Sequence, residues 1–383
     1  MDCYAKVVSN GIRLVRRVTI GCAIAAALAI GESHAQDFQY TITNGSITIT
    51  NYIGSGGNVA IPATIEGLPV TAIGGQAFWA ASTLTAVTIP DTVTNIQDGI
   101  LTKGGAVGAF TCPALTNVTF GNGLLYIGAG TFAECDKLTQ ITIPDSVITL
   151  GDFAFHYAGL THVKLGTNGT QLGPGNGYAF DGCNLTSITI PGSVTNLGAY
   201  AFTDCSSLAS VVIEDGLTHI GFNAFPGCDS LTNITLPATV ATIEDRAFAA
   251  CVNLAGVYFK GNAPAIKPPA WPWADGVFYY SSNVTVYYLP GTSGWGPTYA
   301  GRPTVLWNPQ VQTEDGSFGV RQNQFGFNIA GTADIPLVVE ATVDLAATSW
   351  KPLQTCTLTN GLLYFSDPQW KNYPERLYRI RSP

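Results

Sequence analysis

Residues 231–253 read LTNITLPATVATIEDRAFAACVN, and residues 185–207 read LTSITIPGSVTNLGAYAFTDCSS. The two stretches share a Leu-x-x-Ile-x-Ile/Leu-Pro segment, a Val-x-x-Ile/Leu segment and an Ala-Phe-x-x-Cys ending. Alternation of apolar and polar residues in the first segment predicts a short strand with one buried side. Proline cannot donate to a strand ladder, so Pro237 marks the end of that strand. Each stretch therefore reads as one coil of a repeat.

The repeat continues along most of the chain, and self-similarity at a fixed period indicates a repeat architecture. A 23-residue unit cannot bury its apolar side alone, so stacked coils must share one core. We predict a β-rich solenoid of about nine coils with short helices or turns. Two units are expanded by Gly-rich stretches, Lys103–Gly108 and Thr167–Tyr178. Eight units begin at Leu84, Leu115, Leu138, Leu160, Leu185, Leu208, Leu231 and Leu254, after a degenerate unit at 61–83.

This unit resembles the BspA-like leucine-rich repeat, whose pattern is close to L-x-x-[VI]-x-[IL]-P-x-x-[VL]-x-x-[IL]-G-x-x-A-F-x-x-C. The resemblance covers roughly residues 61–260, with Ala81 and Ala158 in place of cysteine in two units. It implies a secreted or surface-displayed bacterial protein, in a family that includes adhesins.

The first 35 residues have the layout of a secretory signal peptide. Basic residues between Lys6 and Arg17 precede an apolar run at 18–30, and Ser33-His34-Ala35 fits a cleavage site. The run is shorter than the roughly 20 residues of a membrane-spanning helix. Removing residues 1–35 takes away four basic and two acidic side chains, which changes the net charge from −8 to −10. That field repels a phosphate backbone, so we expect no nucleic-acid partner.

The solenoid needs caps at both ends because terminal coils expose core. Residues 36–60 alternate around Asn44-Gly45, which predicts a β-hairpin cap. The solenoid then spans 61–307 and ends in a coil rich in Trp and Tyr. Residues 308–383 predict a small antiparallel β-sandwich. Its five short strands are Phe325–Ile329, Leu337–Val343, Leu353–Leu358, Leu362–Phe365 and Leu377–Ile380.

Cysteine recurs near the ends of the repeats. Two interpretations fit this spacing. The cysteines could form a metal or redox ladder, or they could form a stacked column of small buried side chains. Alanine fills the column twice and no Cys-x-x-Cys pair occurs, which favours the structural interpretation. The odd number after residue 35 leaves at least one thiol unpaired within the chain. The seven are Cys112, Cys135, Cys183, Cys205, Cys228, Cys251 and Cys356.

Sequence signatures of catalysis and metal binding are missing. There is no Gly-x-Ser-x-Gly elbow and no His-Glu-x-x-His pair. After residue 35 the histidines are His156, His162 and His219, which occupy different repeat columns. Acidic residues such as Asp145 follow repeat strands, where solvated turns are expected. We therefore predict no catalytic residues, no metal site and no cofactor.

The outward positions of the repeat strands form the candidate binding surface, which we expect to be concave. It is polar, almost uncharged and rich in Thr, and it suits a neutral glycan or a protein surface. An ordered Thr array also resembles ice-binding surfaces, and the strand propensity of Thr accounts for the composition as well. The candidate residues are Asn117, Thr119, Gln140, Thr142, His162, Lys164, Ser187, Thr189, Ser210, Asn233, Thr235 and Tyr258.

The leading functional prediction is non-catalytic recognition or adhesion by a secreted or cell-surface protein, with a protein or glycan partner. One alternative is a carbohydrate-binding or carbohydrate-active protein that uses the aromatic terminal coil. Trp271, Trp295 and Trp307 lining an open cleft would favour that alternative, whereas their burial at the domain junction would favour the first. A structural envelope or matrix protein is the other alternative.

Overall fold

The computed structural model describes residues 2–8, 11–17, 35–102, 105–267, 276–343, 350–373 and 375–383. It divides into two compact units, Met1–Glu32 and Ser33–Pro383. In the first, Asp2–Val8 pairs antiparallel with Gly11–Arg17. The apolar run of the expected signal peptide lies outside the described residues. Within those residues, no helix has the length and apolar character to cross a membrane.

The second unit is built from coils that contribute two sets of parallel strands, the first divided into three sheets and the second continuous, which confirms a β-rich repeat solenoid. Turns, rather than helices, connect the strands. The first set, here the repeat sheet, comprises Gly57–Ala60, Leu84–Thr88, Asn117–Thr119, Gln140–Thr142, His162–Lys164, Ser187–Ile190, Ser210–Ile213, Asn233–Leu236, Gly256–Phe259, Thr285–Tyr288 and Arg302–Leu306.

The second set, here the short-strand sheet, comes from the Val-x-x-Ile/Leu segments and forms a separate, continuous ladder. Its inward residues, such as Leu197 and Ile220, are fully buried. The strands are Ser46–Tyr52, Leu68–Ile73, Asn95–Ile96, Tyr126–Ile127, Thr149–Leu150, Gln171–Leu172, Asn196–Leu197, His219–Ile220, Thr242–Glu244 and Ala265–Lys267.

A stack of phenylalanine rings, here the phenylalanine spine, runs through the core with one ring per coil. Neighbouring centroids lie between 4.7 Å, for Phe78 and Phe110, and 6.0 Å, for Phe248 and Phe278. Most of these pairs are close to parallel, so each inner ring is covered by a neighbour on both faces. The spine consists of Phe78, Phe110, Phe132, Phe155, Phe180, Phe202, Phe225, Phe248 and Phe278.

The repeat cysteines form a buried column beside the spine, and all are free thiols. Each thiol donates a hydrogen bond to the phenylalanine carbonyl of an earlier coil, as from Cys183 to Phe155 at 3.1 Å. In the last coil of the column, the hydroxyl of Ser281 donates to the Phe248 carbonyl at 2.7 Å. The column therefore packs and satisfies backbone carbonyls.

The N-terminal end of the solenoid is a hairpin of Phe38–Thr43 and Ser46–Tyr52. Its turn residues Asn44 and Gly45 both have positive φ, at 51° and 75°. The ring of Tyr52 stacks on Phe78 at 5.1 Å, so the hairpin extends the phenylalanine spine and covers its end.

Residues after the last coil form two antiparallel sheets around their own core, which includes Phe327, Leu337 and Phe365. This arrangement confirms an all-β C-terminal module. One sheet contains Gln310–Gln312, Gly319–Arg321, Gln324–Ala330 and Leu362–Asp367, and the other contains Pro336–Thr342, Lys351–Thr357 and Leu377–Arg381.

The remaining elements are short and lie at corners, in the terminal coil or in the C-terminal module. The first Gly-rich insertion forms a small hairpin of Ile100–Thr102 and Gly105–Val107. The other short elements are the strands Thr64–Ile65 and Thr298–Tyr299 and the 3-10 turns Ala35–Asp37, Thr359–Gly361 and Trp370–Asn372.

Candidate functional site

The register of the repeat sheet aligns the predicted binding residues in rows. Gln140 pairs with His162, His162 with Ser187, and Ser187 with Ser210 on adjacent parallel strands. A second row contains Thr142 beside Lys164 and Thr189 beside Val212. The residues between the rows point inward, because side chains alternate along a strand.

Nine of the twelve candidate residues are exposed and form one surface, here the open face. It carries one ammonium group, on Lys164, and none of the nine side chains is a carboxylate. A neutral or weakly acidic partner can therefore approach these nine side chains without electrostatic repulsion from them. The nine residues are Asn117, Thr119, Gln140, Thr142, His162, Lys164, Ser187, Thr189 and Ser210.

A depression of about 410 Å³ lies on the open face, and five of the nine residues line it. It coincides with an interruption of the repeat sheet between the strands Asn117–Thr119 and Gln140–Thr142. Val118 and Val163 also line the depression and are only half-buried. Side-chain amides, a hydroxyl, an imidazole and an ammonium group thus surround a small apolar patch. This combination can hydrogen-bond a ligand and cover one apolar side of it.

The other three candidates are less available, because the C-terminal module lies against the last coils. Tyr258 is 4% exposed and stacks on Tyr287, with ring centroids 4.6 Å apart. The hydroxyl of Thr235 lies 3.1 Å from the hydroxyl of Ser382. Asn233 is half-buried. The exposed surface therefore ends before these coils, which the repeat pattern does not reveal.

Of the described tryptophans, Trp295 packs within the terminal coils and Trp307 packs at the junction with the C-terminal module. Trp295 donates to the Thr292 hydroxyl at 3.0 Å, and its ring lies 4.9 Å from that of Phe259. Trp307 donates to the carbonyl of Pro336, in the C-terminal module, at 2.9 Å. Both are half-buried. Trp271 lies outside the described residues, so the two described rings act as packing groups.

The histidines lie on different elements. His162 is on the open face, and its Nδ1 lies 2.9 Å from the Thr161 hydroxyl. His156 is buried in a turn, 3.2 Å from a carboxylate oxygen of Asp181. His219 is on the short-strand sheet. Among the described residues, no group of three or more His, Cys, Asp or Glu side chains is placed to hold a metal ion.

Carboxylates in the turns bind backbone groups of the following coil, which sequence reasoning missed. Asp91 accepts from the Asn122 N–H at 2.7 Å. Asp145 accepts from both the N–H and the hydroxyl of Thr167, at 2.8 and 3.0 Å. These hydrogen bonds hold the pKa of Asp145 below its ordinary value. The acids expected to be solvated turn residues therefore connect coils.

The family model described as BspA type Leucine rich repeat region matches this chain in six copies, over residues 106–175 and 176–290. The chain belongs to the BspA-type leucine-rich repeat family. A leucine-rich repeat protein from Bacteroides capillosus is 34% identical, over 35% of this chain and 96% of its own, with a TM-score of 0.29.

Two further solved structures are similar to this chain. The Treponema pallidum leucine-rich repeat protein is 27% identical, over 58% of this chain and 90% of its own, with a TM-score of 0.42. The pneumococcal vaccine antigen PcpA is 19% identical, over 67% of this chain and 93% of its own, with a TM-score of 0.30. No curated protein matches the sequence. The family assignment therefore rests on the repeat match.

Proposed function

We propose that this protein is a secreted or cell-surface recognition protein that binds a protein or glycan through the open face without catalysis. The observation that carries the proposal is the set of nine exposed polar side chains, seven of which lie on the four adjacent parallel strands from Gln140–Thr142 to Ser210–Ile213. Adjacent strands lie about 4.8 Å apart, so the face presents a regular array to an extended partner.

Surface display is supported by the signal-like layout of residues 1–35. Recognition, rather than hydrolysis, is supported by the chemistry of the open face. Glycoside hydrolysis ordinarily uses two carboxylates on either side of the scissile bond. The nine residues of the open face supply hydroxyls, amides, one imidazole and one ammonium group, which bind a partner but do not form that acid pair.

The test compares two double variants of residues 36–383 on arrays of glycans and of matrix proteins. Ser187→Lys with Thr189→Lys places two long charged side chains on the open face. Ser207→Lys with Val252→Lys adds the same charge at exposed turn positions outside the repeat strands. We expect the first variant to lose at least about tenfold in affinity, which is 1.4 kcal/mol, and the second to bind like the unmodified protein.

The proposal is overturned if the open-face variant binds its array partner as tightly as the turn variant does. It is also overturned if the unmodified protein binds no glycan or matrix protein and instead assembles with itself. That second result would favour the structural envelope or matrix alternative.

A further inference from the structure

A second cavity lies on the short-strand sheet, where the repeat departs from its consensus. The Gly-rich expansion Thr167–Tyr178 forms one wall, and the cavity has a volume of about 510 Å³. Ligand pockets commonly range from about 300 to 1,000 Å³. Insertions in a repeat protein form loops on one face, which is often a binding face. We call this cavity the expansion pocket.

The loop that forms the wall is held in place by a single carboxylate. Asp152 accepts hydrogen bonds from the N–H groups of Gly175, Asn176 and Gly177 at 3.0, 2.5 and 3.1 Å. Gly177 has φ of +88°, and a Cβ there would lie 1.7 Å from the Ala199 carbonyl oxygen. The loop is therefore fixed by charge-assisted hydrogen bonds and by contact with the next coil. A pocket with a fixed wall loses little conformational entropy on binding.

The floor of the expansion pocket presents side-chain amide groups that are available to hydrogen-bond a ligand. Gln171 and Asn196 are exposed, line the pocket and have amide groups without a partner among the described residues. Thr195 lies beside them. Gly198 and Gly221 also line the pocket, and a Cβ at either would lie within 3 Å of the backbone of the preceding coil, so close stacking of the coils requires these glycines.

The charged groups at the far end neutralise one another. Glu244 lies 3.3 Å from Nε2 of His219 and 2.7 Å from the ammonium group of Lys267. It also accepts from the Phe222 N–H at 3.1 Å. The other ring nitrogen of His219, Nδ1, lies 2.6 Å from the Thr242 hydroxyl. An anion would meet Glu244, and a cation would meet a carboxylate that Lys267 already compensates.

The remaining ligand class is neutral and rich in hydroxyl groups. We propose that the expansion pocket binds a neutral saccharide unit through the amides of Gln171 and Asn196. This site is on a different sheet from the open face and does not depend on the function proposed for that face.

The test is a calorimetric and NMR titration of residues 36–383 with maltotriose, cellotriose, mannotriose and chitotriose. We expect at least one to bind and to shift the side-chain amide signals of Gln171 and Asn196. Asn196→Leu and Thr195→Trp should each weaken that binding at least tenfold. Leu125→Trp is the matched control, because Leu125 occupies the repeat column of Thr195, is 44% exposed and lies outside the pocket.

Asp152, the carboxylate that holds the loop, allows a second and independent experiment. Asp98 occupies the repeat position of Asp152 and accepts from the Ala129 N–H at 2.7 Å, but it holds no expanded loop. Asp152→Ala and Asp98→Ala should both lower the melting temperature, and only Asp152→Ala should weaken saccharide binding. Asp152 is thus a positioning residue.

The proposal fails if none of the four saccharides binds at about 10 mM, a concentration that detects even millimolar affinity. It also fails if Asn196→Leu leaves the affinity unchanged or if Asp98→Ala weakens binding as much as Asp152→Ala. The open-face variant Ser187→Lys with Thr189→Lys should bind the saccharide normally, so failure of one site is distinguishable from failure of the other.

Discussion

The sulfur of Cys205 lies 3.1 Å from the carbonyl oxygen of Phe180, one coil earlier in the solenoid. The same thiol-to-carbonyl contact recurs in five other coils. A thiol is small enough for the buried column and still supplies a weak donor to the carbonyl. Alanine at Ala158 fills the space without that donor, which explains why cysteine predominates.

The repeat thiols should be unreactive in the folded protein. Burial raises the pKa of Cys112 and of Cys251 to about 12, so almost no thiolate exists at neutral pH. Cys356 is only half-buried. In residues 36–383, a disulfide reagent at pH 7.5 should modify Cys356 first and the other six thiols only after denaturation. Rapid modification of several thiols in the native protein would contradict the buried column.

Truncating one ring of the phenylalanine spine should be strongly destabilising. Phe202 is fully buried and stacks on Phe180 and Phe225 at 5.5 and 5.3 Å. Phe202→Ala should cost about 3–5 kcal/mol in urea unfolding, because it removes apolar contacts and leaves a cavity. Phe318→Ala, at a ring that is 48% exposed, is the control and should change stability by less. Equal effects would argue against the spine as a continuous core.

Two buried tyrosines should respond in opposite directions when their hydroxyls are removed. The hydroxyl of Tyr258 is buried and has no hydrogen-bond partner among the described residues, whereas that of Tyr299 donates to the Pro264 carbonyl at 3.0 Å. Tyr258→Phe should stabilise the protein by about 1 kcal/mol, and Tyr299→Phe should destabilise it by about 1 kcal/mol. Thermal unfolding of both variants measures the difference. A loss of stability in Tyr258→Phe would mean that its hydroxyl has a partner.

The Asp145–Thr167 contact should make stability depend on pH in the acid range. The folded protein lowers the pKa of Asp145 below its ordinary 3.8, through hydrogen bonds from Thr167. The stabilisation is therefore fully present above that value and is lost as the pH falls through the lower, folded pKa. Asp145→Asn should lower the melting temperature at pH 7, and the deficit should shrink on acidification below pH 3.8.

The control for this titration is Asp215→Asn, because Asp215 is exposed and its carboxylate accepts no hydrogen bond from the described residues. Its melting temperature should follow that of the unmodified protein at every pH. A constant deficit for Asp145→Asn across the whole range would show that its charge state is irrelevant.

The coil architecture was predictable because burial imposes a period on the sequence. Leu231, Ile234 and Leu236 alternate with polar residues, and the structure buries all three. The environment of Tyr258 was not predictable, since the rings that pack on it, Tyr287 and Trp307, follow 29 and 49 positions later. Nor was the role of Asp145, whose partner Thr167 follows 22 positions later and touches it only once the coils stack.

The expansion pocket was also predictable only in part. The Gly-rich stretch Thr167–Tyr178 was recognisable as a departure from the repeat, but its partners were not. The other wall of the cavity comes from Thr195, Asn196 and neighbouring residues of the next coil, which adjoin the loop only once the coils stack. Periodicity identifies what is shared among coils, whereas a pocket depends on how particular coils differ from their neighbours.

The strand hydrogen bonds run between neighbouring coils, along the direction of stacking, in the short-strand sheet and in each segment of the repeat sheet. Tension applied between the two ends of the solenoid would break these hydrogen bonds one coil at a time. It would not load many of them in shear at once. Each released 23-residue coil would lengthen the molecule by roughly 75–80 Å at full extension. A protein held between a cell and a bound partner would then yield in steps and absorb mechanical work before detaching.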